Sequence, residues 1–249
     1  MPYLTAERMA AIDSAAFQYQ YPFPWMTIDR FVPDHVFEQL CDQLPDMSLF
    51  SREFGRKRGY GQESHNRHVL QYRDDLEVPL VWRQFIAELK GPAYQSFLRK
   101  MFALKSSEKI VLTMHWHLAG SGCAVSPHVD ASRKIGSHIF YLHRGGRWLP
   151  EWGGQTLVLD DAGRFSPRSA PSFEELKQVA SSTIMDNHSF MFQRTDWSWH
   201  GVRPIACPEG ELRKVFIVVI NRVTWQVRWR HLRGKDADGY PLRGHAHRR

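Results

Sequence analysis

The sequence predicts an α+β fold, helices packed against a mainly β core, and three observations carry that prediction. Apolar residues recur at helical spacing up to Leu104, short β-rich runs separated by turn-forming stretches follow, and no run of 18 apolar residues occurs anywhere. Regularly spaced short strands favour a sandwich or barrel over a parallel βαβ sheet. With 249 residues, 43% hydrophobic and 24% charged, the chain can bury one sizeable core and is neither disordered nor fibrous in composition. The expected plan is one structural domain: a mostly helical extension over 1–107, a β core over 108–223 and a basic tail over 224–249.

The elements follow from local pattern. The first residues read as helical, and Glu7, Arg8 and Asp13 interrupt any apolar stretch that a signal peptide would need, so a cytoplasmic location is expected. Tyr21-Pro-Phe-Pro-Trp25 is an extended lead-in to a strand from Met26 to Phe31. Asp34 is placed to cap a helix whose apolar positions Val36, Phe37, Leu40 and Leu44 precede Pro45. Residues 50–75, polar and carrying Gly55, Gly59 and Gly61, read as a loop. Two helices are expected between Val78 and Leu104, broken at Gly91-Pro92. Strands are expected at Lys109 to His117, Ser137 to His143, Thr156 to Leu159, Ser189 to Phe192 and Lys214 to Ile220.

Charge is unevenly spread. The net charge is +7, yet Arg222 to Arg249 alone holds eight Lys and Arg against two Asp. Such a tail is either a solvated terminus or a contact for nucleic acid, an anionic surface or an acidic partner. Within it Asp236-Ala-Asp238-Gly239 lacks the remaining ligands of a calcium loop and reads as a turn. Cys41, Cys123 and Cys207, odd in number and without CxxC spacing, point to neither a disulfide framework nor a zinc knuckle.

The segment that carries chemistry is Ser126-Pro127-His128-Val129-Asp130. In extended backbone, residues i and i+2 face one side, so His128 and Asp130 present an imidazole and a carboxylate to one point. A third candidate, His200, sits in a turn past the apolar run Phe190-Met-Phe192. Two His and one carboxylate leave coordination positions open, the arrangement associated with non-haem Fe(II), whereas structural zinc closes its shell with four protein ligands. In Leu212-Arg213-Lys214-Val215-Phe216-Ile217, Arg213 begins an apolar inward row with Val215, Ile217 and Val219. A buried guanidinium there needs an anionic partner and matches a carboxylate bidentately. Lys214 and Arg203 are the alternative cations.

These blocks, in this order, resemble the Fe(II)/2-oxoglutarate-dependent dioxygenases, specifically the prolyl-4-hydroxylase-like branch. His128-Val-Asp130 is similar to the HxD ligand pair, Ile139-Phe-Tyr141-Leu142 to the strand that typically reads YLN, and Trp152-Gly-Gly154-Gln-Thr to the GG turn. Phe192 to His200 resembles the distal-ligand region, Arg213 the basic co-substrate residue, and Tyr21 to Phe31 the first strand of bacterial members. The likeness covers about residues 20 to 222. It implies a double-stranded β-helix, the cupin-like jelly roll, with the N-terminal helices packed on one sheet. It also implies His128, Asp130 and His200 as Fe(II) ligands and Arg213 as anchor for 2-oxoglutarate. Tyr141 matches a tyrosine whose hydroxyl can donate to the same carboxylate; His117 falls near another position where members often place a tyrosine, and it reads equally as a core or pocket-wall histidine. His143 stands where Asn is usual, and the spacing from His200 to Arg213 is longer than is common.

The activity so implied is hydroxylation of an unactivated C–H bond with O2, releasing succinate and CO2. Asp130 stands where related halogenases have a small residue, which favours hydroxylation over halogenation. The expected partner is a small-molecule or carrier-bound substrate of unspecified identity. Two rivals remain: a cupin-type metal site on His115-x-His117 with His188 or His200, and a non-catalytic module whose basic tail contacts a polyanion. Trp148, Trp152, Trp197 and Trp199 flank the motifs and read either as core packing or as the lining of a substrate pocket.

Overall fold

The continuous apolar run Val215 to Ile220 makes Arg213–Arg222 a strand buried on both faces, and the fold is organised around it. The computed structural model describes residues 2–242. In chain order these form α1 (Ala6–Ala11), α2 (Ser14–Gln18), β1 (Trp25–Asp29), α3 (Asp34–Asp42), β2 (Ser51–Glu53), β3 (Arg67–Gln71), α4 (Leu80–Lys90) and α5 (Pro92–Met101). There follow β4 (Ile110–Ala119), β5 (Val125–His128), β6 (Lys134–Tyr141), β7 (Leu157–Asp160), β8 (Lys177–Ser181), β9 (His188–Gln193), β10 (His200–Val202), β11 (Arg213–Arg222) and α6 (Trp225–Leu232).

The strands form two antiparallel sheets, one of seven in the order β1-β9-β6-β11-β4-β3-β2 and one of four in the order β5-β10-β7-β8. On β11, Phe216, Val218 and Ile220 point to one side of the large sheet. There they pack with Trp116, Phe140 and Met191 under Val36, Trp82, Phe85, Leu89 and Phe97 of the helices. Val215 points to the other side, where Ile139, Tyr141, Phe190 and Phe192 meet Val158 and Val202 of the small sheet. Burying a large apolar side chain in such a layer contributes about 1.5–3 kcal/mol. The helices therefore cover one face of the large sheet, and the small sheet faces the other.

Several elements differ from the sequence reading. The stretch 50–75 is not all loop: β2 and β3 extend the large sheet beyond β4. Arg52, Glu53, Arg67 and His68 hid them, since strands towards a sheet edge tolerate charge on their open face. Pro33 occupies the cap position of α3, and the Asp34 carboxylate instead accepts from Asn187 at 2.8 Å. His200 opens strand β10 rather than sitting in a turn, and β5 and β8 are also strands. Strands of three to five residues carry too few alternations to register as a pattern.

The described part of the basic stretch is folded. Thr224 caps α6, its side chain accepting from Val227 N, and the chain then turns back through a Lys235–Pro241 bridge. Asp236-Ala-Asp238-Gly239 is a turn, in which Asp236 Oδ1 accepts from the backbone N–H groups of Asp238 and Tyr240, both at 2.9 Å. Residues 243–249 of the expected tail lie outside the described residues. The three cysteines are free. Among the described residues no helix is long and apolar enough to cross a membrane.

Candidate metal and co-substrate site

Cross-strand register brings the candidate ligands together. His128, the last residue of β5, is the direct partner of His200, the first residue of β10, and β10 is held on its other side by Val158 of β7. The chain is narrow at this point: a Cβ on Gly201 would sit 2.7 Å from the Val125 carbonyl oxygen, so a glycine must follow His200. Asp130 lies two residues beyond His128, and Arg194 Nε donates to its carbonyl at 3.1 Å, bracing the HxD turn against the end of β9. One ligand atom from each of His128, Asp130 and His200 falls within 4.8 Å of the others, and this is the cluster of metal-ligand type found among the described residues.

Hydrogen bonding fixes which nitrogen is free. His128 Nδ1 meets the Ser126 carbonyl at 3.0 Å and His200 Nδ1 the Ser198 carbonyl at 2.9 Å. A carbonyl only accepts, so both Nδ1 atoms carry the hydrogen and both Nε2 atoms keep a lone pair. Burial, then the neighbouring His200 and His65 rings, holds His128 well below its ordinary imidazole value, and burial likewise lowers His200. Both are neutral at neutral pH. Burial pushes the Asp130 carboxyl up, but Lys134, His200 and His128 outweigh it and hold the group well below the usual carboxylate range. Two neutral imidazoles with oriented second nitrogens and one carboxylate fit a divalent first-row metal with open positions.

Arg213 lies in the same cavity, 7% exposed. Its Nε donates to the Gly154 carbonyl at 2.5 Å, and its guanidinium carbon stands 5.5 Å from the centre of the Tyr141 ring. Gly154 has φ +90°, and a Cβ there would meet Arg213 Cδ at 3.1 Å, so the GG turn is shaped to admit this side chain. No carboxylate pairs with Arg213 among the described residues. The alternative cations are engaged elsewhere: Arg203 pairs with Glu174, and the Lys214 side chain is on the opposite side of β11 from the inward row.

Tyr141 adjoins Arg213, but its hydroxyl is shared between Thr156 Oγ1 and Ser182 Oγ, each at 2.7 Å. His117 faces the cavity from β4 and stacks on His115, ring centroids 4.8 Å apart and planes 2° from parallel. His115 is tied to Gln71, and Gln71 to Asp236, so the His115-x-His117 pair of the cupin-type rival belongs to a hydrogen-bonded wall. His188, on β9, bonds to the Met185 carbonyl and does not join them. His143 accepts from the Lys214 N–H at 3.0 Å, a structural use for the residue that replaces Asn. Trp148 and Trp199 are core residues, while Trp197 is half exposed.

Sequence reasoning missed the wall on the other side. His65 stacks near His128, centroids 4.9 Å apart, and Arg58, Arg67, Arg133, Lys134, Arg168 and Asp238 also line the cavity, which has a volume of about 820 Å³. The cation runs Arg56-Lys-Arg58 and Arg133-Lys134, close to HxD in sequence or in space, were the available signal.

No family model matches the sequence, and no curated protein matches it. The fold, however, has clear counterparts among solved structures. A prolyl-4-hydroxylase from Pseudomonas putida superposes with a TM-score of 0.56 at 16% identity over 86% of this chain and 99% of its own. A prolyl hydroxylase from Trichoplax adhaerens, solved with a hypoxia inducible factor oxygen degradation domain peptide fragment, gives 0.57 at 13% identity over 87% and 90%. A prolyl 4-hydroxylase from Phytophthora capsici gives 0.52 at 14% identity over 91% and 68%. The chain therefore has the jelly-roll fold of the prolyl hydroxylases.

Proposed function

We propose that this protein is an Fe(II)- and 2-oxoglutarate-dependent dioxygenase that hydroxylates an unactivated C–H bond. The observation that carries the reading is one cavity holding both a His128/Asp130/His200 ligand group and a buried Arg213 with no carboxylate partner among the described residues. The shared fold with prolyl hydroxylases supports it at the level of architecture.

In this reading His128, Asp130 and His200 hold the metal. Arg213 receives the distal carboxylate of 2-oxoglutarate, with Tyr141 packed beside its guanidinium and His117 on the adjoining wall. Bound Fe(II) supplies the oxidation, in which one atom of O2 enters the C–H bond as hydroxyl and the other enters succinate as CO2 leaves. The chain positions the reactants. Ser126 and Ser198 carbonyls keep the imidazoles in the ligating tautomer, the Gly154 carbonyl sets the direction of Arg213, and Ile139, Ile217 and Phe192 supply apolar wall between the polar groups. The prime substrate enters from the side of the 54–66 loop, which lines the cavity together with Pro167 and Arg168.

Release of CO2 from 1-labelled 2-oxoglutarate by the Fe(II)-supplemented protein tests the reading. Turnover that disappears in His200→Ala and Asp130→Ala is expected. Wild-type protein that binds iron yet releases no CO2 beyond the iron-only control overturns it.

A further inference from the structure

The mouth of the cavity is more basic than the site within it requires. Nine Lys and Arg line the cavity against four carboxylates. Glu53 takes Arg56 and Arg67, Asp238 takes Arg133, Asp130 takes Lys134 and Asp196 takes Arg194. With Arg213 assigned to the co-substrate, Lys57, Arg58 and Arg168 remain without a carboxylate among the described residues.

The cations come from separate parts of the chain. Lys57 and Arg58 lie on the loop between β2 and β3, Arg67 on β3, Arg133 just before β6, and Arg168 on the loop between β7 and β8. The two loops meet where Gln62 Nε2 approaches the Ser169 carbonyl at 3.4 Å. Loss of hydration, then the nearby Arg67 charge, holds the Arg58 guanidinium below its ordinary value, with Asp130 and Glu53 acting the other way. Like charges crowded in this way lower the free energy of an incoming anion and raise that of the empty site.

We propose that the mouth of the cavity binds a phosphate or diphosphate group of a small prime substrate, through Lys57, Arg58 and Arg168, with the Arg67 and Arg133 guanidiniums adding to the positive field. The inference rests on the proposed function only in placing the reacting C–H bond deeper, beside His128, Asp130 and His200. A carboxylate is satisfied by one forked guanidinium, whereas a phosphoryl group offers three oxygens and close to two charges to donors converging from several sides. The cations line a cavity of about 820 Å³ instead of an open stripe, which selects a small anion over a polymer.

Calorimetric titration of metal-free full-length protein with pyrophosphate tests the site, with excess 2-oxoglutarate present to fill Arg213. One pyrophosphate per chain is expected, weakened at least tenfold in Arg58→Gln/Arg168→Gln. It should be unchanged in Lys105→Gln/Lys109→Gln, which removes the same charge outside the cavity. No saturable binding, displacement of pyrophosphate by 2-oxoglutarate, or equal weakening in both double variants overturns the proposal. Tighter binding of tetra-aspartate than of pyrophosphate also overturns it and makes the substrate an acidic peptide. Because no metal is added, these outcomes are independent of whether the protein oxidises anything.

Discussion

Lys134 donates to Asp130 Oδ1 at 2.7 Å, so the carboxylate assigned to the metal is already neutralised by an ammonium group four residues further along the chain. Both side chains are largely buried, at 18% and 9% exposure. The pair accounts for a stable carboxylate in a metal-free site, and it sets Lys134 in competition with a metal for the same oxygen. Lys134→Gln is expected to tighten Mn(II) or Fe(II) binding by about tenfold, the equivalent of ~1.4 kcal/mol. The same change should lower the melting temperature of the metal-free protein, because Asp130 then lacks its cation. Metal titration and thermal unfolding of one preparation read both effects.

Arg213 and Gly154 form a second coupled pair. Arg213→Lys keeps the charge and loses the planar fork, so the KM for 2-oxoglutarate should rise by roughly tenfold or more while metal affinity is unchanged. Gly154→Ala places a methyl group 3.1 Å from Arg213 Cδ at a φ of +90° and is expected to raise the same KM without touching the charge. Parallel kinetics on the two variants check that the carbonyl turn acts through the arginine.

Acid should destabilise the fold through its histidines. Burial holds His138 at about 3, against 6.5 when exposed; burial with Arg58 and Arg67 holds His65 at about 3, and burial with Arg213 and Lys214 holds His143 at about 3. His115, mainly through burial, lies at about 4. Each folded value is depressed, so below pH 6.5 the unfolded chain binds protons that the folded chain refuses. Stability is complete above pH 6.5 and falls as the pH drops towards 3–4, by about 1.4 kcal/mol per pH unit for each histidine that takes up a full proton on unfolding. His138, held between Tyr94 Oη and Ser189 Oγ at 2.9 Å each, isolates one such term. Urea unfolding from pH 7.5 to 5 should show a slope about one proton smaller in His138→Gln.

Much of this site was legible in the sequence because its signals are local. HxD in extended backbone, an inward Arg at the head of an apolar strand and a glycine pair each depend on residues a few positions apart; the structure places HxD and Arg213 on one cavity, with Gly154 bonded to Arg213 behind it. His200 was readable as a candidate, but its setting was not: three residues of strand between two partners leave no periodicity. The basic wall was illegible for a different reason. Arg58, Arg67, Arg133 and Asp238 are far apart in sequence, and only the pairing of β3 with β4 and the return of the chain after α6 bring them together. Asp236 and Asp238, read from the sequence as a turn, do form one and also bond to Gln71, Thr113 and Arg133.

The hydroxyl of Tyr141 offers a test of the inner wall. Tyr141→Phe leaves Thr156 Oγ1 and Ser182 Oγ without their shared partner and should cost about 1–2 kcal/mol of stability. If the hydroxyl also serves the co-substrate, the KM for 2-oxoglutarate rises in the same variant; a stability loss with unchanged KM assigns Tyr141 to the fold alone.

Whether His128, Asp130, His200 and Arg213 together hold Fe(II) and 2-oxoglutarate is read by anaerobic titration of the metal-free protein with both, following the visible metal-to-ligand charge-transfer band. A band is expected that saturates at one iron per chain, is lost in His200→Ala and needs far more 2-oxoglutarate in Arg213→Lys. Iron binding without the band in the wild-type protein would contradict this assignment.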